Sequence, residues 1–397
     1  MDDQGLKETI INFEDLMREV EMLFGQLNDT GYLPPDFEEK MRAVEEEQDR
    51  ILRQLLPVFE ARYPRLIKGL WEVDQEIRGF EDYIRDLLLL PTGQVLLAGS
   101  EAGVKILLPP SVDKPQWRVQ QTITGFDNYV HAALLVPGGD VVVGGVAGEL
   151  KVLGPDPQQQ GRWVIKQNIS GIDHYVENLL LLPNGDVLVG GIRGQVEIIR
   201  YEASSNEWRI QQTLELVAKV SLLLPEGKIF LAGYKGEIKI LTHHPDLNDQ
   251  WQVQETISGK IGDITAALLL PEGQVLLGGS SGTIIILGRK TGASYEILQE
   301  ITGFDRYISR FLLLSHDEVL IGGSAGAIQI LSRRDDEENT WKLGQKIRGF
   351  HQYVSARLLL TKREILLGGN KGELKTITLK DVTLDQLKEK IPEIMKS

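Results

Sequence analysis

The stretch from Val136 to Leu153, VPGGDVVVGGVAGELKVL, sets two glycine pairs and a further glycine around a run of valines. Glycine-rich turns can cradle phosphate with backbone N–H groups, so nucleotide chemistry is the first reading to test. A phosphate loop also needs a Lys-Ser or Lys-Thr pair opening a helix, and none follows these glycines. Of six histidines, His243 and His244 are adjacent, beside Pro245 and Asp246. Neighbouring side chains of an extended segment point apart, so this pair predicts no metal site. Asp127, Asp173 and Asp305 occupy equivalent places in similar segments and are expected to cap turns rather than to act as catalytic carboxylates. No nucleophile, base and orienting acid can be brought together by spacing. The sequence therefore predicts no catalytic residue, no metal site and no cofactor.

The glycine stretch is one of seven. Related segments begin at Leu90, Leu182, Leu224, Leu270, Leu314 and Leu360. Each copy follows a second shared segment, W-x-V/I-x-Q-x-I-x-G-F-D-x-Y-V, best seen in WRVQQTITGFDNYVHAALL. The leading aromatics are Trp71, Trp117, Trp163, Trp208, Trp251, Tyr295 and Trp341, a period of 43 to 46 residues. A feature present in nearly every repeat belongs to the scaffold, so the glycines are expected to serve tight turns.

One repeat reads as four short strands. Trp117 to Ile123 alternates apolar and polar residues, and Val130 to Val136 is apolar enough for an inner strand buried on both faces. Pro137-Gly138-Gly139 is a turn, Val141 to Val143 is β-branched, and a second turn precedes Leu150 to Leu153. Seven such sheets arranged radially cover one another. The expected fold is an all-β seven-bladed propeller of four-stranded blades, with an N-terminal α-helical hairpin and a short C-terminal helix.

The order G-F-D-x-Y-V, L-L-x-P-x-G, V-L-x-G-G-x-x-G-x-I-x-I-L resembles a degenerate WD repeat over residues 71 to about 379. The Gly-His position of that family reads Gly79-Phe80, Gly125-Phe126, Gly171-Ile172, Gly303-Phe304 and Gly349-Phe350, and no repeat holds the Trp-Asp dipeptide. The family's buried His–Asp–Trp network is not carried over, and Phe is expected to fill its space by apolar packing. The resemblance implies ring closure in one sheet, with strand 71–78 against 373–379. It also implies that proteins dock on one face of the ring.

Outside the repeats, Leu6, Ile10, Phe13, Met17, Val20, Phe24 and Leu27 draw an apolar stripe at helical spacing. A second helix is expected from Asp36, with Phe37, Met41, Val44, Ile51, Leu55 and Val58 on its stripe and Pro64 at its end. Leu384, Leu387, Ile391 and Ile394 suggest a third, with Thr383 as cap. The expected domains are a helical hairpin over 1–70, with coiled-coil character, the propeller over 71–379, and a C-terminal helix over 380–397 near the hairpin. Two readings stand for the stripe: a three-helix bundle on the propeller rim, or a seam of Ile10, Phe13, Met17, Val20, Phe24 and Leu27 for another protomer or a partner helix. Residues 1–70 carry 16 Asp and Glu against 9 Lys and Arg, so a partner there should be basic.

The chain of 397 residues has a net charge of -14 and no cysteine. That excludes disulfides and thiolate chemistry and argues against nucleic acid and anionic membranes as partners. The acidic start, MDDQGLKETI, and the lack of long apolar runs predict a cytoplasmic protein without a membrane span.

Function is expected where the repeats differ. After the recurring Val or Ile stand Arg85, His131, Glu177, Ser221, Thr265, Ser309 and Ser355, and the glycine turns present Glu101, Arg193, Lys235 and Lys371. These polar positions are expected to ring a central opening as a partner-binding face. Blade four reads LELVAKV and blade five GKIGDI in place of G-F-D-x-Y-V, which predicts a groove at Lys219, Lys260 and Asp263. The sequence thus points to a noncatalytic protein-interaction scaffold whose hairpin mediates assembly or a second contact. The alternatives are a small-ligand or carbohydrate-binding propeller and a propeller enzyme with its site in the central opening.

Overall fold

The computed structural model describes residues 3–30, 37–62, 69–99, 103–191, 194–246, 249–258, 262–289, 294–304, 306–333 and 340–394, with the side chains of all but 3, 19–21, 23–30, 37–38, 60, 258, 389–390 and 392–394. Residues 1–71 with 379–397 form one compact unit and residues 72–378 another.

Four-stranded antiparallel sheets repeat seven times along the chain. The first comprises Ile84–Leu89, Val95–Gly99, Gly103–Leu108 and Arg118–Thr124, each strand beside its successor. Its outer strand is therefore the leading segment of the second repeat. The pattern continues to the seventh sheet, Val354–Thr361, Glu364–Gly369 and Leu374–Leu379, whose outer strand is the chain's first, Trp71–Ile77. Buried clusters bridge consecutive sheets; one joins Leu96 and Ile106 of the first to Val130, Val141 and Trp163 of the second. The chain is a seven-bladed propeller of four-stranded antiparallel sheets, with N-terminal helices and a short C-terminal helix.

The deepest strand is the second of each sheet, and this corrects the expectation for the first. Val141–Gly145 is buried throughout, whereas Val130–Leu135 is mostly half-buried because one side faces the axis of the ring. The outer strands alternate, as Trp163–Ile169 does, with a buried Trp at the start and a buried Ile at the end. The glycines allow the sheets to close on one another. A Cβ on Gly144 would lie 2.3 Å from Val176 Cγ1 of the next sheet, and one on Gly148, at φ +73°, 1.8 Å from the Ile172 carbonyl oxygen.

Neighbouring outer strands are joined by a side chain that imitates backbone. The amide of Gln167 donates to the Trp208 carbonyl at 2.7 Å, and its oxygen accepts the Trp208 N–H at 2.8 Å. Gln121 with Trp163, Gln212 with Trp251 and Gln299 with Trp341 repeat the pair. Glu255 holds the glutamine place opposite Tyr295, and its carboxylate turns to Arg289 at 3.6 Å. A carboxylate cannot donate to the facing carbonyl, so the fifth sheet joins the fourth without this bidentate link.

The Gly-Phe turns at Gly125 and Gly349 are each locked by the G-E-L-K segment that follows. Glu149 accepts the N–H groups of Asp127 and Asn128, while Lys151 donates to the Gly125 carbonyl at 2.7 Å and lies 5.2 Å from the Phe126 ring centre. Glu373 and Lys375 do the same for His351, Gln352, Gly349 and Phe350. In these turns the cap is thus the glutamate just before the third strand, with the Asp127 position supplying the N–H. Phe fills the Gly-His place with a cation on its face as well as by apolar packing.

In the other unit, helices α1 (Asp3–Thr30), α2 (Phe37–Arg62) and α3 (Leu384–Ile394) share a core. Leu6, Ile10, Phe13, Ile51, Leu52, Leu55, Phe59, Leu387 and Ile391 are buried together. Thr383 begins α3 with a capping box: its hydroxyl accepts the Gln386 N–H and the Gln386 side chain accepts the Thr383 N–H. Ile10 and Phe13 are consumed by this core, which removes them from the expected seam between chains. Met17 is exposed and accepts a hydrogen bond from Gln48. The side chains of Val20, Phe24 and Leu27 lie outside the described set. No described helix is long and apolar enough to cross a membrane.

Candidate functional site

The inner strands place the site. Val130 pairs with Gly145 and Ala132 with Gly144, leaving His131 at a bulge between them. A bulge re-aims the extra side chain, here toward the axis. Arg85, Glu177, Thr265, Ser309 and Ser355 hold the same position in their sheets. In the fourth sheet Val220 pairs with Ala232, and the Lys219 N–H donates to the Ala232 carbonyl. Lys219 therefore occupies the bulge, and Ser221, expected there, stands two residues further in and donates to the Asn178 carboxamide oxygen.

Three of the expected recognition residues are internal. Thr265, Ser309 and Ser355 are buried, and each hydroxyl donates to a carbonyl of the next inner strand, those of Ile308, Val354 and Ile84 respectively. A short hydroxyl reaches that carbonyl and satisfies it; a longer charged side chain cannot be buried there without a counter-charge. Sheets five, six and seven are thus stitched to their successors, while sheets one to four present Arg85, His131, Glu177 and Lys219, all half-buried.

The channel along the axis encloses about 190 Å³ and is lined by Asp86, His131, Glu177, Lys219, Arg310 and Arg357 among others. Asp86, Arg310 and Arg357, with Asn178, stand one or two positions beyond the residue that follows the recurring Val or Ile, and so outside the expected set. Their signal was available: they are polar residues in the next two aligned positions, which most repeats fill with Ala, Val or Leu. Both Asp86 oxygens accept backbone N–H groups, from Leu87 and Ala133, at 3.0 Å. Burial raises the Asp86 carboxyl above its ordinary range, against the pull of Arg357, the Ala133 N–H and Arg310. Burial also holds the His131 imidazole down to about 4, with the charges of Arg85 and Arg310 adding to it. The Arg357 guanidinium is lowered to about 10, chiefly by burial and then by Arg310.

Tyrosines crown the mouth. Tyr83 and Tyr129 meet edge to face at 6.2 Å, the rings of Tyr307 and Tyr353 are tilted at 41° and 5.6 Å apart, and Tyr175 packs on His131 at 5.4 Å. Val217 and Asp263 replace tyrosine in the fourth and fifth sheets. There the Lys219 ammonium lies 5.2 Å from the Tyr234 ring centre and 5.7 Å from that of Tyr307, and Asp263 accepts the Lys235 N–H at 2.8 Å. Lys235 and Lys371 are exposed at the tops of their turns with φ of 59° and 56°, a left-handed conformation that glycine would adopt with less strain. Glu101, Arg193 and Lys260 lie outside the described residues.

A second cavity, of about 810 Å³, lies between the second and third sheets near Pro137, Lys166, Asn184, Arg200 and Tyr201. Its charges are matched internally: Lys166 pairs with Asp140 at 2.6 Å, and Arg200 binds Asp186 through two hydrogen bonds. Among the described residues no group of three or more His, Asp or Glu is placed to hold a metal ion. The channel mouth combines unmatched charge with exposed aromatics, and is therefore the candidate site.

The class defined by this geometry is the seven-bladed β-propeller. The crystal structure of the WD40 beta propeller domain of Doa1 is similar, with a TM-score of 0.61 at 14% identity, covering 79% of this chain and 98% of that one. At that identity the likeness is one of fold. No protein-family model matches the sequence, and no curated protein matches it.

Proposed function

We propose that the chain is a noncatalytic scaffold of WD-repeat type whose propeller captures a protein partner at the channel mouth. WD40 propellers commonly serve as interaction scaffolds, which makes the reading natural for this fold. The observation that carries it is the aromatic mouth, where Tyr129 is 43% exposed against Tyr83, whose ring carries Arg85, and Tyr234 of the fourth sheet's glycine turn is 40% exposed beside Lys219. Tyr and Arg dominate the binding energy of protein interfaces, because a rigid aromatic buries much area at little entropic cost. The break in the crown at Val217 and Asp263 supplies the asymmetry that one partner orientation requires. In this reading the propeller domain is 71–379, the helical domain is 1–70 with 380–397, and the latter provides assembly or a second contact through α1, where Ile11 is 54% and Met22 62% exposed.

The test is affinity capture from the source lysate with the full chain and with Tyr129→Ala, Tyr234→Ala and Lys219→Glu variants, each first checked for an unchanged melt. A partner captured by the parent and lost, by tenfold or more, from these variants supports the reading. Equal capture by parent and variants overturns it. Light scattering on the same samples tests self-assembly.

A further inference from the structure

The channel holds more positive charge than its own carboxylates offset, in a chain whose net charge is -14. Lys219, Arg310 and Arg357 line it against Asp86 and Glu177, and the charge of Arg85 reaches His131 from beside the lining. Among the described residues none of the three guanidiniums lies within ion-pair distance of a carboxylate, and Asp86, which accepts two backbone N–H groups, attracts Arg357 and Arg310 only from further off. Arg310 donates to the Ser309 carbonyl at 2.9 Å and Arg357 to the Phe311 carbonyl at 2.6 Å, both neutral acceptors. Among the described residues Arg85 meets the Tyr83 ring, 4.8 Å from its guanidinium carbon, and its Nε is buried without an acceptor. A buried donor left unmade costs about 1–3 kcal/mol, more when charged. Three planar forks near one axis, short of acceptors, match the oxygens of a carboxylate or phosphate.

We propose that the central channel binds an oxyanion, a carboxylate or phosphate group, gripped by Arg85, Arg310 and Arg357. The volume of about 190 Å³ is below the roughly 300 Å³ at which drug-sized ligands begin, so the group arrives on a small solute or on one inserted side chain. His131 stands beside it as a neutral imidazole able to donate or accept. Binding offsets the charges of Arg85 and Arg310 that depress His131, so the anion and a proton on His131 favour one another. The site does not depend on capture of a protein at the mouth, and it can be tested with the chain alone.

The experiment is calorimetry on the full chain with citrate and inorganic phosphate as free anions and hexaglutamate as the side-chain form, against chloride at matched ionic strength. The expected result is saturable binding of at least one probe, weakened tenfold or more by Arg310→Gln and by Arg85→Gln, and accompanied by a rise in the His131 pKa followed by NMR. Binding of free anions identifies a solute site; binding of hexaglutamate alone identifies a side-chain site. Arg85→Gln keeps the test decisive if Arg310→Gln does not fold, because among the described residues the Arg85 side chain makes no hydrogen bond that the substitution would remove. No binding beyond the chloride control by any probe, or equal binding by parent and variants, overturns the proposal.

Discussion

His174 Nε2 lies 2.7 Å from Glu197 Oε2, and both side chains are only 2% exposed. Glu197 occupies the position that Lys151 and Lys375 hold in the second and seventh sheets, so the third sheet has reversed the charge of the turn lock. Where lysine donates to the glycine carbonyl of the turn, glutamate must accept, and His174 supplies the donor. The other ring nitrogen, Nδ1, is 2.9 Å from the Tyr175 carbonyl oxygen. Both ring nitrogens therefore face acceptors, which assigns a proton to each and makes the pair an imidazolium–carboxylate contact. Room for the ring comes from Gly191, where a Cβ would sit 2.2 Å from Nδ1.

The first prediction concerns this pair. The hydrogen bond to Glu197 raises the His174 pKa above its ordinary value, against desolvation. A raised pKa in the folded state stabilises fully below the unfolded value near 6.5 and is lost as pH climbs through the folded value. His174→Leu leaves Glu197 buried and uncompensated, at a cost of about 3–5 kcal/mol. The loss relative to the parent should shrink between pH 6 and pH 9, and His174→Leu with Glu197→Leu should recover most of it. Urea midpoints at the two pH values measure this; a loss independent of pH would exclude the charged pair.

The Gln–Trp links give the second. Gln212→Glu keeps an acceptor for the Trp251 N–H and removes the donor to the Trp251 carbonyl. The expected cost is about 1–3 kcal/mol, from one lost hydrogen bond and a strained carboxylate–carbonyl contact. Glu207→Gln, on the same outer strand and exposed, should change stability by less than about 0.5 kcal/mol. Equal urea midpoints for parent and Gln212→Glu would show that the link carries no load.

Much of the fold was legible because turn chemistry and strand patterning repeat seven times, and a copy that is weak alone is strengthened by its neighbours. The channel was only partly so. The register at Lys219 is hidden because Ala218 stands where other inner strands carry Val or Ile, so that the next β-branched residue, Val220, points to Ser221 instead. Thr265, Ser309 and Ser355 looked equivalent to Arg85 and His131, yet their fate depends on carbonyls 43, 45 and 271 residues away. Such a partner is fixed by the ring and leaves no trace in local sequence. His174 was missed for the same reason: its position holds Asn128 and Gln352 in other repeats, a loop residue by any local measure.

The third prediction is set by His131. Its pKa of about 4 lies below the ordinary 6.5, so between these values the unfolded chain binds a proton that the folded chain refuses. Stability must then fall as pH drops from 6.5 toward 4, opposite in direction to the loss that His174 imposes at higher pH. The span corresponds to an upper bound on the order of 3 kcal/mol, since one pKa unit is about 1.36 kcal/mol, and water in the channel reduces it. His131→Gln removes the titrating group while keeping a polar side chain at the bulge, and should flatten this part of the pH profile without lowering stability at pH 7 by more than about 1 kcal/mol. Melting curves from pH 4 to pH 7 compare the two proteins. Parallel curves would mean that His131 titrates alike in both states, and that Arg85 and Arg310 do not act on it.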